Sequence, residues 1–170
     1  FSDGVMTGQG KMTWRDSTEY TGEFRNNLPE GNGVQTWPDG QKYTGEFRTG
    51  KPNGKGRLEW PNRNYKGDVV DGRPEGTGEF TWNDGRKYTG QFRAGQPHGK
   101  GIFYWPSGDR YEGDFKEGYR EGFGTYFWNK GGKYVGQYKA NKANGEGVMY
   151  DRLGDVRYKG RFVNDNFVGK

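Results

Sequence analysis

The stretch Gly76–Phe92 reads GTGEFTWNDGRKYTGQF, and the rest of the chain repeats it with variations. It holds a G-x-G step, an aromatic at Trp82, the pair Asp84-Gly85 and a Tyr-x-Gly-x-Phe step that starts at Tyr88. The Tyr-x-Gly step recurs at Tyr20, Tyr43, Tyr65, Tyr88, Tyr111, Tyr134 and Tyr158, with gaps of 23, 22, 23, 23, 23 and 24 residues. The G-x-G step recurs at Gly8, Gly31, Gly54, Gly76, Gly99, Gly122 and Gly145. Two independent markers that keep one period define a repeat architecture.

Inside one repeat the pattern has period two. Gly76, Gly78, Phe80 and Trp82 share one parity, as do Tyr88, Gly90 and Phe92, while Thr77, Glu79, Thr81, Thr89 and Gln91 take the other. Strands alternate faces at that period, so each half-repeat reads as a strand with one aromatic and one polar face. Asn83-Asp84-Gly85-Arg86 suits a tight turn, which makes the unit a β-hairpin. Gly90 lies between two rings on the aromatic face, where its missing side chain leaves room for a large neighbour, taken to be the Trp of the paired strand. Three residues after each final aromatic stand Gly4, Asn27, Gly50, Gly72, Gly95, Gly118, Asn141 and Asp165. These types tolerate a left-handed backbone, so a tight connection between hairpins is expected there.

Only 28% of the 170 residues are hydrophobic and 33 are Gly, a composition that by itself leans toward disorder. The 6 Trp, 12 Tyr and 11 Phe overturn that reading, because they fall at fixed places in the period. The absence of Cys excludes disulfides and fits a reducing compartment. No apolar run approaches the length of a membrane span.

The copies drift along the chain. Phe1-Ser-Asp-Gly4 aligns with Phe47-Arg-Thr-Gly50, and Gly169-Lys170 opens an eighth G-x-G, so the array is expected to begin and end inside a repeat. Repeat three departs most: its turn is Pro61-Asn62-Arg63-Asn64 and Val69 replaces the final aromatic, which predicts a loosened or bent hairpin. Gln35 takes a core-parity position without evident reason, and Asp151 takes the Trp place in repeat seven. Glu23, Glu46, Asp68, Gln91, Asp114, Gln137 and Arg161 form an outward column that begins acidic and ends basic.

Tyr-x-Gly-x-Phe, a following Gly or Asn, G-x-G, an aromatic and Asp-Gly or Ser-Gly, at 23 residues and over essentially the whole chain, resemble the MORN repeat. The resemblance implies an all-β fold: an elongated single antiparallel sheet of successive β-hairpins, one MORN-repeat solenoid over residues 1–170 with about seven repeats. It also implies roles in phospholipid binding, protein scaffolding and dimerisation.

Residues for chemistry are few. His98 is the only His, and it occupies the loop position that holds Thr7, Glu30, Asn53, Glu75, Glu121 and Asn144 elsewhere, so a structural role is expected and no metal or nucleophile–His site. Gly54-Lys55-Gly56 and Gly99-Lys100-Gly101 lack the Ser/Thr and the helix of a phosphate loop. Glu23, Glu46 and Asp68 recur once per hairpin, which suits a solvated outer column better than acid–base pairs. Charge balance over the first two-thirds argues against a nucleic-acid track.

The expectation is therefore a non-enzymatic scaffold without cofactors, cytoplasmic and cytoskeleton- or membrane-associated, that binds an unidentified protein partner. The alternative is a peripheral membrane module that meets anionic phospholipids, or another acidic partner, through Lys130, Lys133, Lys139, Lys142, Arg152, Arg157, Lys159 and Arg161. Outward Tyr104, Phe127, Val135, Val148 and Tyr150 mark a candidate protein interface, either toward a homodimer through the C-terminal repeats or toward further repeats. Phe1, Phe167 and Val168 leave both ends without a polar cap. About 14 strands at roughly 4.8 Å spacing would give a rod on the order of 65 Å. The core is expected to consist of Trp14, Trp37, Trp60, Trp82, Trp105 and Trp128 with the seven tyrosines.

Overall fold

The computed structural model describes residues 4–170, so the expectation placed on Phe1 lies outside them. The described residues are all β, and the strand order is the order of the chain. Two compact units divide after Asn83. The first holds β1 (Gly8–Thr13), β2 (Glu19–Arg25), β3 (Leu28–Thr36), β4 (Lys42–Arg48), β5 (Lys51–Trp60), β6 (Arg63–Val70) and β7 (Arg73–Trp82). The second holds β8 (Lys87–Arg93), β9 (Gln96–Tyr104), β10 (Arg110–Lys116), β11 (Tyr119–Phe127), β12 (Lys133–Lys139), β13 (Lys142–Tyr150), β14 (Val156–Val163) and β15 (Asn166–Gly169). The described residues hold fifteen strands rather than fourteen, because Asn166–Gly169 pairs as a short strand against β14.

Two turn types alternate. Between repeats, two successive residues take positive φ, as at Thr49 (48°) and Gly50 (83°) or Ala140 (48°) and Asn141 (70°). This is the two-residue turn whose twist matches a β-ribbon, and it places the Gly, Asn and Asp of the sequence rule in the left-handed region. Within repeats the turn is longer, except in repeat three, where only Pro61-Asn62 separates the paired Trp60 and Arg63. Asp84 accepts a hydrogen bond from the Arg86 backbone N–H (3.0 Å), and Asp39 does the same for Gln41 (2.9 Å). Asp151, at the place held elsewhere by Trp, accepts from Leu153 and Asp155 (2.9 and 3.0 Å).

The glycines of one repeat answer to three different atoms. Gly90 and Gly101 are register partners, and a Cβ on Gly90 would meet the Gly101 Cα at 2.5 Å. A Cβ on Gly101 would collide with the Tyr88 ring, which lies across that glycine. The large neighbour above the glycines is thus the tyrosine two residues before Gly90, not the Trp of the paired strand. Gly99 has φ +93°, and a Cβ there would strike the Gln91 side chain. That side chain bridges the strands, for its Oε1 accepts from the Lys100 N–H at 2.7 Å. Glu23, Glu46, Asp68, Asp114 and Gln137 make the same bond to Asn32, Lys55, Thr77, Phe123 and Glu146. The column expected to be merely solvated is a row of clamps at bulges, and it ends at Arg161, which has no acceptor atom.

The core is built from tyrosine and phenylalanine. Tyr20, Tyr43, Tyr65, Tyr88 and Tyr111 are fully buried and Tyr134 nearly so. Each phenol donates to a backbone carbonyl three residues on, as Tyr88 does to Gln91 at 2.7 Å. This satisfies the one polar atom that burial would otherwise penalise. In the second unit Tyr88 meets Phe92 and Phe115 edge-on at 5.0 and 4.9 Å, and Tyr111 meets Phe115 and Tyr138 at 5.2 and 5.0 Å. The tryptophans share this face but stand at the hairpin tips, and all keep some surface in water, Trp14 as much as 38%. They are not the buried core that the sequence pattern predicts. Tyr158 also departs, at 40% exposure, stacked on Phe167 beside the short β15.

Repeat three is regular rather than loosened. Its hairpin pairs from Gly54↔Val69 to Trp60↔Arg63 without a register shift. Val69 and Leu58 are both buried, so the aliphatic replacement keeps the core closed. Gln35 lies in an open depression between Trp14 and Trp37, part-exposed, where its amide can stay hydrated.

Candidate functional site

Where β2–β3, β4–β5 and β6–β7 begin their second strands, the residue facing the aromatic side is Pro29, Pro52 or Pro74, and each is buried. Pro97 continues the column, Arg120 breaks it and Ala143 follows. A groove opens at that break. It has a volume of about 310 Å³ and is lined by Arg120, Tyr126, Trp128, Tyr134, Tyr138, Asn141, Ala143, Met149, Phe162 and Asp165. The Arg120 guanidinium carbon lies 5.3 Å from the Trp105 ring, 5.8 Å from Tyr111, 5.7 Å from Tyr126 and 5.5 Å from Tyr138. A cation over several ring faces is attracted by their quadrupoles. Among the described residues Arg120 has no ion-pair partner.

The acids at the groove are engaged elsewhere. Asp165 accepts from the Ala143 N–H at 2.8 Å. Asp109 accepts from the Tyr126 hydroxyl at 2.7 Å and the Asn129 N–H at 2.8 Å. Burial, with that bond to Asp109 added, pushes the Tyr126 hydroxyl up to about 12, and burial followed by the Asp165 charge does the same to Tyr134. Both phenols therefore stay neutral donors at ordinary pH.

Trp128 and Met149 also line a second depression of about 450 Å³, together with Lys130, Gly131, Asp151, Arg152, Leu153 and Arg157. Of the eight cations singled out in the sequence, only Lys130, Arg152 and Arg157 gather here. Lys139 and Lys142 are register partners at the opposite end of the β12–β13 hairpin, and Lys133, Lys159 and Arg161 lie on the other face of the sheet. The basic set is thus divided among two edges and a face.

The predicted interface residues do share the outer face of the second unit. Tyr104, Phe127 and Tyr150 stand in one register row, interleaved with Lys87, Arg110 and Lys133. The cations lie over the rings: Lys87 at 5.7 Å from Tyr104, Arg110 at 3.8 Å from Phe127 and Lys133 at 5.2 Å from Tyr150. Val135 and Val148 pair in the next row. The row is a cation–π ladder that breaks the apolar surface into single rings.

His98 has a structural task. Its Nδ1 accepts from the Glu117 N–H at 3.3 Å, and Glu30 and Glu121 do the same for Thr49 and Ala140 at 2.8 Å. Among the described residues no group of three or more His, Cys, Asp or Glu is arranged to hold a metal. No helix of the described residues is long and apolar enough to cross a membrane.

Seven MORN repeats match the chain, at residues 1–19, 20–42, 43–64, 65–85, 88–110, 111–133 and 134–155. The chain belongs to the MORN-repeat family. No curated protein sequence matches this MORN array. Among solved structures it is similar to the TCP domain of SAS-4 (dCPAP) of Drosophila melanogaster, in complex with a proline-rich motif of Ana2 (dSTIL). That match covers 88% of this chain and 87% of that one, at TM-score 0.50 and 8% identity, and concerns the fold alone. The E1021V mutant of the TCP10 domain of Danio rerio CPAP aligns over 95% and 91% of the chains, with 14% identity and a TM-score of only 0.28. The Arg120 groove leaves a mark in the sequence that the period-two pattern does not carry, a column of prolines broken by arginine. Pro29, Pro52, Pro74 and Pro97 followed by Arg120 are that signal.

Proposed function

We propose that this MORN array is a non-enzymatic protein-binding scaffold of a cytoplasmic, cytoskeletal or membrane-associated assembly, and that the Arg120 groove is its docking site. One observation carries the reading: Trp105, Tyr126, Trp128 and Met149 keep apolar surface in water around an unpaired guanidinium. Aromatic side chains and Arg supply most of the binding energy where proteins meet. A sheet of similar fold carries a proline-rich motif of another protein, which is consistent with peptide docking on such a scaffold. The test is affinity capture from cell extract on the wild-type chain and on Trp128→Ala. A stoichiometric protein retained by the first and lost by the second is expected. Equal retention by both would overturn the assignment to this groove.

Anionic phospholipid is the second reading, favoured by cations that have no ion-pair partner among the described residues, such as Lys130, Arg152 and Arg157. Their division among two edges and a face weighs against a flat bilayer contact. Self-association through the outer row is a finer form of the scaffold reading. A wild-type chain that sediments as a monomer at high concentration would remove it.

A further inference from the structure

We propose that the ligand of the Arg120 groove is an acidic linear peptide: an extended segment whose Asp or Glu meets Arg120 and whose aromatic or apolar side chain lies against Trp128 and Met149. This rests on the protein-binding reading above. The repeat itself does not require Arg at this place. Pro97 and Ala143 serve at the equivalent positions one repeat before and after, and the backbone pairing is the same in kind. An arginine drawn among four rings gives up hydration that no carboxylate among the described residues restores. Ring faces offset part of that cost, and a ligand carboxylate would complete it through a bidentate bond.

The surrounding charge has the matching sign. Asp151 and Asp165 keep their charge while accepting from backbone N–H groups, but Arg120, Lys130, Arg152 and Arg157 outnumber them and have no ion pair among the described residues. The two depressions adjoin at Trp128 and Met149, which line both. Volumes of about 310 and 450 Å³ admit a few side chains of an extended strand, and a flat bilayer surface does not fill such depressions.

The experiment selects phage-displayed random linear peptides on the full chain and measures the winners by fluorescence polarisation. The same chain is offered phosphatidylserine vesicles in parallel. Enriched peptides should pair Asp or Glu with an aromatic residue, and their affinity should fall with salt. Arg120→Gln should weaken them about tenfold, the loss of one charged hydrogen-bonding partner. Lys130→Glu with Arg152→Glu should weaken them further, and Arg120→Lys should keep the acidic preference. Arg120→Gln retains the backbone N–H that bonds Asn141, so the array should stay folded, which circular dichroism checks. Acid-free winners that still depend on Trp128 would overturn the acidic ligand and leave protein binding intact. Winners indifferent to every groove substitution, or no enrichment at all, would overturn the protein-binding reading. Vesicle binding that depends on Arg120, without peptide enrichment, would transfer the site to membranes.

Discussion

Asn141 and Arg120 are chosen together, although they stand nearly one repeat apart. The Asn141 Oδ1 accepts from the Arg120 N–H at 2.9 Å, as Asn27 does from Met6 at 2.7 Å and Asp165 from Ala143 at 2.8 Å. Where the partner is proline it has no N–H to offer, and the turn residue is glycine: Gly50 against Pro29, Gly72 against Pro52, Gly118 against Pro97. The carbonyls of those prolines still accept from the glycine N–H at 2.9–3.0 Å, so the two arrangements differ by one side-chain bond. Asn141→Gly should therefore destabilise the chain while Arg120 keeps its N–H, and should cost nothing further in an Arg120→Pro background. The coupling expected from urea denaturation of the four proteins is about 0.5–1.5 kcal/mol, one net hydrogen bond. Independent, additive effects would show that the bond carries no stability. The sequence made the left-handed backbone at these positions legible. It hid the reason for Asn instead of Gly, because that reason is a donor on a strand some twenty residues earlier.

At the scale of the hairpin, rank in the core follows from where a residue stands and what its polar atom can reach. The strand alternation, the turns and the aromatic face were legible from period two alone, since side-chain direction in a strand depends on nothing else. Which aromatics are buried was not legible, because tryptophan and tyrosine share that parity. Tyr88 lies inside the paired part of β8, one residue in from its start, against the Phe92 and Phe115 rings and with its hydroxyl bonded to Gln91. Trp105 stands at the hairpin tip against Phe103 and Tyr126 and keeps an edge in water. Tyr88→Ala should cost about 3–5 kcal/mol, the range for emptying a closed aromatic site. Trp105→Ala should cost about half of that, because part of its surface is already wet. Chemical denaturation of the two variants checks the order, and a larger loss for Trp105 would place the tryptophans back at the centre of the core. The clamp column was likewise misjudged from sequence. A bulge gives Gln91 the geometry to reach Lys100, and bulges leave no mark in a period-two pattern.

Over the whole chain the stability rests on one residue type repeated, with Tyr20, Tyr43 and Tyr65 in the first unit and Tyr88, Tyr111 and Tyr134 in the second. Such repetition gives the protein a common response to alkali. Burial, helped by Glu23 and Glu46, pushes Tyr20 and Tyr43 up to about 12, and burial raises Tyr65, Tyr88 and Tyr111 further. Tyr134 also stands at about 12. A free phenol titrates near 10, so below that value both folded and unfolded chains hold these protons and pH has no leverage through them. Between about pH 10 and 12 the unfolded chain releases protons that the folded chain keeps, and stability falls as pH rises. Tyr126 and Tyr138 are raised as well, so eight tyrosines act in the same direction and the slope sums their contributions. The urea midpoint, followed by circular dichroism, should stay flat with respect to these groups up to about pH 9.5 and drop steeply above about pH 10. Replacing Tyr20 and Tyr134 with Phe, one in each unit, should make that drop shallower, since two of the linked protons are gone. At neutral pH the same pair should cost stability, through the lost bonds to the Glu23 and Gln137 carbonyls. A midpoint that declined no more steeply in the wild type than in the double variant would mean that the buried phenols do not govern the alkaline limit.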